Sequence, residues 1–435
     1  MFAGKCCAAV TMVIWGTLPL HAEAVPAAGI FGTDTIELSP RHVEAAKRQR
    51  RIILQDDVLA TGVFRTETVG PEPSSKVIDV YMSRLDEVPN QIDSIWFGWG
   101  EGHTAVWPSQ VIPETKNVLP KWWEIGVDPV DVLLQESRKR DREVFFSYRI
   151  NGSDNDNLHD PARPSFGPEH PIPLKTARPD WLIQGSPSAP ADRKHRVAQR
   201  LHPDWNFVVP GVRDLKLRML REVAEKYEFD GIQIDFARVA ALFPEGQQWA
   251  NRDKLTEFMR SVRTILLEIE KHRGRPFLLA ARVPENLMRC HFDGMDVETW
   301  ARENLVDILV LRCRSSDVDI AAFRRLTRST GIMLYPCLDF HHVSDGYGHP
   351  YTTIEPIRGV DANWWMQSPD GVHTFNLMGP SSGLAQIFPG GYRPPWETRR
   401  RVFREVGSPE TLQHKDKCSM CSAGEGNRGR LRRTS

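Results

Sequence analysis

Eight short apolar runs recur along this chain, at 52–54, 94–99, 144–148, 231–236, 277–283, 308–311, 332–338 and 372–377. Helical periodicity falls between them, over 76–88, 129–139, 212–227, 254–272, 297–304 and 319–329. A strand followed by a helix and then another strand implies parallel pairing through crossover helices. Eight such units predict an α/β fold of the closed (β/α)8 TIM-barrel type. The connections are lopsided. Those running from helix into strand are short (228–230, 274–276, 305–307, 330–331), whereas 149–209, 339–356 and 378–395, which leave strands, are long. These long βα-loop insertions load the elaboration onto the carboxyl ends of the strands, where barrels of this kind keep their sites.

Residues 1–24 read as a signal peptide, with Lys5, an apolar stretch from Cys6 to Leu20, and the small-x-small triplet Ala22-Glu23-Ala24. The mature protein is then expected to be secreted or periplasmic, with a linker over 25–50, the barrel over 51–407 and a disordered tail over 408–435. No later run is long and apolar enough to span a bilayer, so no membrane contact is expected after cleavage. The 56 basic and 56 acidic residues balance, which gives no electrostatic reason to expect nucleic acid. Past the signal, Cys290, Cys313, Cys337, Cys418 and Cys421 are odd in number and scattered, so they do not form a disulfide framework. Cys418-Ser419-Met420-Cys421 has metal-ligand spacing but no second pair to complete a site. Neither metal nor cofactor is expected.

The stretch Gly231-Ile232-Gln233-Ile234-Asp235-Phe236 carries the chemistry. If it alternates as a strand, Ile232, Ile234 and Phe236 pack under helices while Gly231, Gln233 and Asp235 face the barrel interior. Polar groups in an interior are costly unless something there uses them. Glu285 follows the next strand, and neighbouring strand ends bring two carboxylates within the range of roughly 5 to 10 Å used on glycosidic bonds. Asp235 is read as nucleophile or ionised stabiliser and Glu285 as general acid. Other strand ends and loops supply expected substrate-binding groups: Trp99, Tyr148, Arg149, Asn151, Trp205, Gln233, Arg238, Arg282, Arg312, Asp339 and Asn376. Asp230 precedes its strand and belongs to the opposite, stability face.

Phe229 to Arg238, with Phe146-Ser147-Tyr148-Arg149-Ile150-Asn151 before it and Arg282-Val283-Pro284 after it, resembles secreted bacterial glycoside-hydrolase-like barrels of the family-10-like group. The likeness covers roughly 52–407. It implies a carbohydrate substrate and a functional carboxylate at Asp235; the role of Glu285 rests on geometry alone. Two other readings compete. One is a carbohydrate-binding barrel without catalysis. The other is a metal-dependent hydrolase using Asp56, Asp57, His103, Asp339, His341 and His342, weakened because adjacent His341 and His342 alternate in direction on a strand.

Overall fold

The structure, a computed structural model, describes residues 35–57, 82, 85–87, 91–100, 105, 107–112, 126–151, 174, 177–183, 204–237, 241–311, 316–339, 353–378, 395–419 and 432–434. The expected signal peptide, Arg238, Arg312, His103, His341, His342 and the side chains of Asp57 and Trp99 lie outside the described residues.

Strands β1 (Ile52–Asp57), β2 (Ile92–Gly100), β3 (Glu143–Arg149), β4 (Gly231–Asp235), β5 (Leu278–Val283), β6 (Ile308–Leu311), β7 (Met333–Asp339) and β8 (Val372–Phe375) form a closed barrel in sequence order. Each pairs in parallel with the next, and β8 pairs with β1. The described helices include α1 (Pro40–Ala46), α2 (Pro129–Arg138), α3 (Pro210–Lys226), α4 (Arg252–Arg273), α5 (Leu287–Phe292), α6 (Val297–Arg302), α7 (Ile320–Thr327), α8 (Ile354–Trp365), α9 (Trp396–Glu405) and α10 (Pro409–Leu412). None of them is long and apolar enough to cross a membrane. The (β/α)8 architecture read from the sequence is the one observed.

Strand alternation splits the core in two. Ile53, Trp96, Phe145, Leu278, Ala280, Val310, Tyr335, Cys337 and Phe375 fill the barrel interior. Ile52, Leu54, Phe146, Ile232, Ile234, Leu279 and Leu309 point outward into the layer beneath the helices. Helix α4 meets that layer with Leu255, Met259, Val262, Leu266 and Ile269, spaced three and four apart on one stripe. It ends where Gly274 takes a left-handed φ of 70°.

Part of the stretch expected as linker is structured. Helix α1 lies within it, and Ala46 joins the interior cluster. Arg50, fully buried, forks onto both Glu143 oxygens at 2.6 Å and caps Ala45 and Ala46 carbonyls. His42 bridges Glu270 (2.6 Å) and Asp307 (3.0 Å), while Arg263 grips Asp307 with two bonds of 2.8 Å. Asp230 accepts from the Val144 amide and pairs with Arg275, both at 2.8 Å, so its role at this face is structural. The expected tail is also partly ordered: α10 and the strand β9 (Lys417–Ser419) fall inside it, and the Cys418 carbonyl packs so tightly on Gly359 that a Cβ there would collide. Strand β9 pairs with β10 (Arg432–Thr434).

Candidate active site

Because side chains alternate, the inward positions at the carboxyl ends of β3, β4, β5 and β7 are Arg149, Asp235, Arg282 and Asp339. Arg149, Asp235 and Arg282 are in register across three adjacent strands. Asp235 is fully buried; its Oδ1 accepts from the Ala237 amide at 3.0 Å and its Oδ2 from Arg282 Nη1 at 3.2 Å. The other arm of the same guanidinium, Nη2, reaches Asp339 Oδ2 at 3.4 Å. One arginine thus ties together two buried carboxylates from strands on different sides of the barrel mouth. Sharing a planar fork holds the two carboxylates within about 9 Å of each other. Phe375 lies under both arginines, with Arg282 Cζ 4.6 Å and Arg149 Cζ 5.9 Å from its ring centroid. Asn376, nearly buried, follows in a left-handed conformation, and its amide donates to the Gln55 carbonyl.

Below this charged layer runs a chain of hydrogen bonds that the sequence reading did not foresee. His373 bonds Cys337 Sγ through Nδ1 (3.1 Å) and Gln55 Oε1 through Nε2 (2.9 Å). Gln55 Nε2 donates to Ser147 Oγ at 2.8 Å, and Ser147 donates to Gln233 Oε1 at 2.6 Å. All five residues are buried, and they come from β7, β8, β1, β3 and β4. Burial, reinforced by the positive charge of Arg282, pushes His373 well below the usual imidazole range, so the ring is neutral. A histidine in the middle of an apolar strand was the available signal.

Several expected site residues lie elsewhere. Tyr148 has the parity of Val144 and Phe146 and faces outward, with its hydroxyl beside Met219 and Lys216 of α3. Alternation lets only one of Tyr148 and Arg149 face inward, and it is Arg149. Asn151 is saturated by backbone: Nδ2 donates to the Trp205 and Ala241 carbonyls and Oδ1 accepts from the Trp205 amide. Its role is to fasten two loops. Trp205 is fully buried, with Lys216 Nζ 5.2 Å from its ring centroid and Trp181 against it, so it offers no open face for stacking.

Glu285 sits half-buried on the loop after β5, where its carbonyl accepts from the Asp319 amide. Nearby, Asp293 is lifted to about 6 by burial, opposed by its ion pair with Arg289 and aided by the charge of Glu285. Burial, with the charges of Asp293 and Glu285 adding to it, also pushes up the Cys290 thiol. The carboxylate that the structure joins to Asp235 is Asp339. Among the described residues no cluster of three or more His, Cys, Asp or Glu side chains has the arrangement of a metal site.

No protein-family model and no curated protein matches the chain. Solved structures are similar in fold. One is α-L-fucosidase isoenzyme 2 from Paenibacillus thiaminolyticus, at 16% identity and a TM-score of 0.47, covering 85% of this chain and 51% of that one. Another is the PgaB (BpsB) glycoside hydrolase domain from Bordetella bronchiseptica, at 11% identity and a TM-score of 0.47, covering 82% and 99%. A third is a glycoside hydrolase family 18 N-acetylglucosaminidase from Paenibacillus barengoltzii, at 10% identity and a TM-score of 0.41, covering 78% and 98%. This chain spans about half the length of the fucosidase.

Proposed function

We propose that this barrel hydrolyses glycosidic bonds of a poly- or oligosaccharide. The observation that carries the reading is the buried ion cluster at the strand ends, in which Arg282 joins Asp235 to Asp339. Burying charge is expensive, and a barrel held together by packing alone has no need of it at this end. Asp235 serves as the ionised carboxylate, attacking or stabilising the sugar cation that develops as the bond breaks. Glu285, on the next loop, gives its proton to the departing oxygen. Arg149, Arg282 and Asn376 orient the sugar. In this reading the N-terminal signal exports the enzyme to a compartment where polysaccharide is met.

A second reading is a barrel that binds sugar without cutting it. It is favoured by the engagement of both Asp235 oxygens, one by the Ala237 amide and one by Arg282. Reducing-sugar release and binding across a polysaccharide panel, wild type beside Asp235→Asn and Glu285→Gln, separates the two. Cleavage by wild type alone with binding kept in Asp235→Asn supports hydrolysis. Retained cleavage of activated aryl glycosides by Glu285→Gln, with natural linkages lost, supports Glu285 as the acid. Binding with no cleavage by any of the three moves the assignment to the sugar-binding barrel.

A further inference from the structure

With the Gln55 amide placed Nε2 toward Ser147, the hydrogen-bond chain under the charged layer runs one way. Gln55 Nε2 donates to Ser147, so the Gln55 oxygen is the atom that faces His373, and an amide oxygen only accepts. His373 Nε2 must then carry the ring proton. On a neutral ring this leaves Nδ1 as an acceptor, and the Cys337 thiol donates to it. Ser147, having accepted from Gln55, gives its own proton to the Gln233 oxygen. Each link fixes the next, and the last consequence is that Gln233 turns its NH2 group, not its carbonyl, away from the chain. That Nε2 is buried and finds no partner among the described residues. Its register neighbour on β5 is Ala280, which is too short to reach it, and Asp235 stands two residues further along the same face of β4.

We infer that Gln233 is a ligand-reading donor at the floor of the site, and that His373, Gln55 and Ser147 are positioning residues that fix its polarity. An enclosed donor without a partner is costly, and that cost is recovered when an acceptor oxygen reaches it. The ligand must therefore present an acceptor oxygen, a sugar hydroxyl or an acyl carbonyl, to the barrel floor. This inference rests on the carbohydrate reading above and adds to it the sign of the hydrogen bond at one position.

Two variants test it, with melting temperature measured beside affinity for neutral and N-acetylated oligosaccharides. Gln233→Met keeps the shape but removes both the donor and the oxygen that Ser147 donates to; relief of one orphaned donor and creation of another leave the melting temperature little changed, while affinity falls about tenfold, the equivalent of one hydrogen bond. Gln55→Glu leaves Gln233 in place but offers only acceptor oxygens to Ser147 once ionised. Ser147 then donates to position 55 and accepts from Gln233, whose carbonyl swings toward the ligand, and affinity falls by a similar factor. Unchanged affinity in Gln233→Met overturns the inference and leaves the carbohydrate reading standing. A melting temperature that falls while affinity is unchanged likewise overturns it, because Gln233 would then serve only to fasten Ser147. A wild-type protein that binds no sugar on the panel removes the carbohydrate reading, and this inference with it.

Discussion

Replacing His42 with Gln tests whether the closed end of the barrel is held by a charged histidine. Burial disfavours the charged ring, but the hydrogen bonds to Asp307 and Glu270 outweigh burial and raise His42 from 6.5 to about 9. A folded value above the unfolded one stabilises the fold fully below the unfolded value, and that stability is lost as pH rises through the folded value. The window is therefore pH 6.5 to about 9, and the shift corresponds to ~3 kcal/mol of stability at its lower edge. Arg263 still holds Asp307 in the variant, so no buried carboxylate is left bare. Acid narrows the gap for a different reason: Glu270 lies below its ordinary value, so its contribution is present above about 4.5 and is lost as it protonates. Urea unfolding followed by tryptophan fluorescence, at pH 6, 7.5 and 9.5, should show wild type ahead of His42→Gln by ~3 kcal/mol at pH 6, with the gap shrinking steadily toward pH 9.5. Groups elsewhere titrate in both proteins and cancel in the difference. A gap of constant size across this range would refute the reasoning, since packing alone has no pH dependence of this form.

Other substitutions probe different parts of the barrel. Asp361 is buried on α8, and burial outweighs its hydrogen bond with Trp365 and pushes its carboxyl well above the usual range. Asp361→Asn should be more stable than wild type near neutrality, because the carboxyl ionises freely only in the unfolded chain, with the advantage vanishing at pH 3, where both side chains are uncharged; thermal melts at the two pH values check this. Arg282→Met removes the guanidinium that Asp235 and Asp339 share and should cost ~3–5 kcal/mol by urea titration. Arg282→Lys should rescue little, because a single ammonium replaces a fork. A Cβ at Gly231 would collide with the Phe145 ring, so Gly231→Ala should lose ~1–3 kcal/mol, recovered in part when Phe145 is also changed to Leu. Glu222 receives the Trp107 indole, the Ser109 hydroxyl and the Gln110 amide; Glu222→Ala should expose 107–112 to limited proteolysis while the barrel remains folded.

The sequence itself determined the strands, because a strand buried on both faces is short and largely apolar, and that shows without any partner in view. The same alternation assigned Ile232 and Ile234 to the outer layer and Gln233 and Asp235 to the interior, and set Asp230 at the structural end. Helix α8 escaped notice because Pro356 and Gly359 fall inside it, and both weaken helix propensity. Helix α1, seven residues and barely two turns long, gives too short a periodic signal, and packing against the barrel stabilises it. Parity would have placed Tyr148 under α3 had it been applied to every strand end rather than to β4 alone.

What only the tertiary structure decided is which polar groups meet. Arg282 reaches across from β5 to β7, and the line from Cys337 to Gln233 takes one residue from each of five strands that span most of the chain length. Such contacts depend on closure: they exist because β8 pairs with β1 and brings residues more than 300 positions apart within hydrogen-bond reach. Local periodicity sets which face a side chain is on. The curvature of the closed sheet sets what it faces.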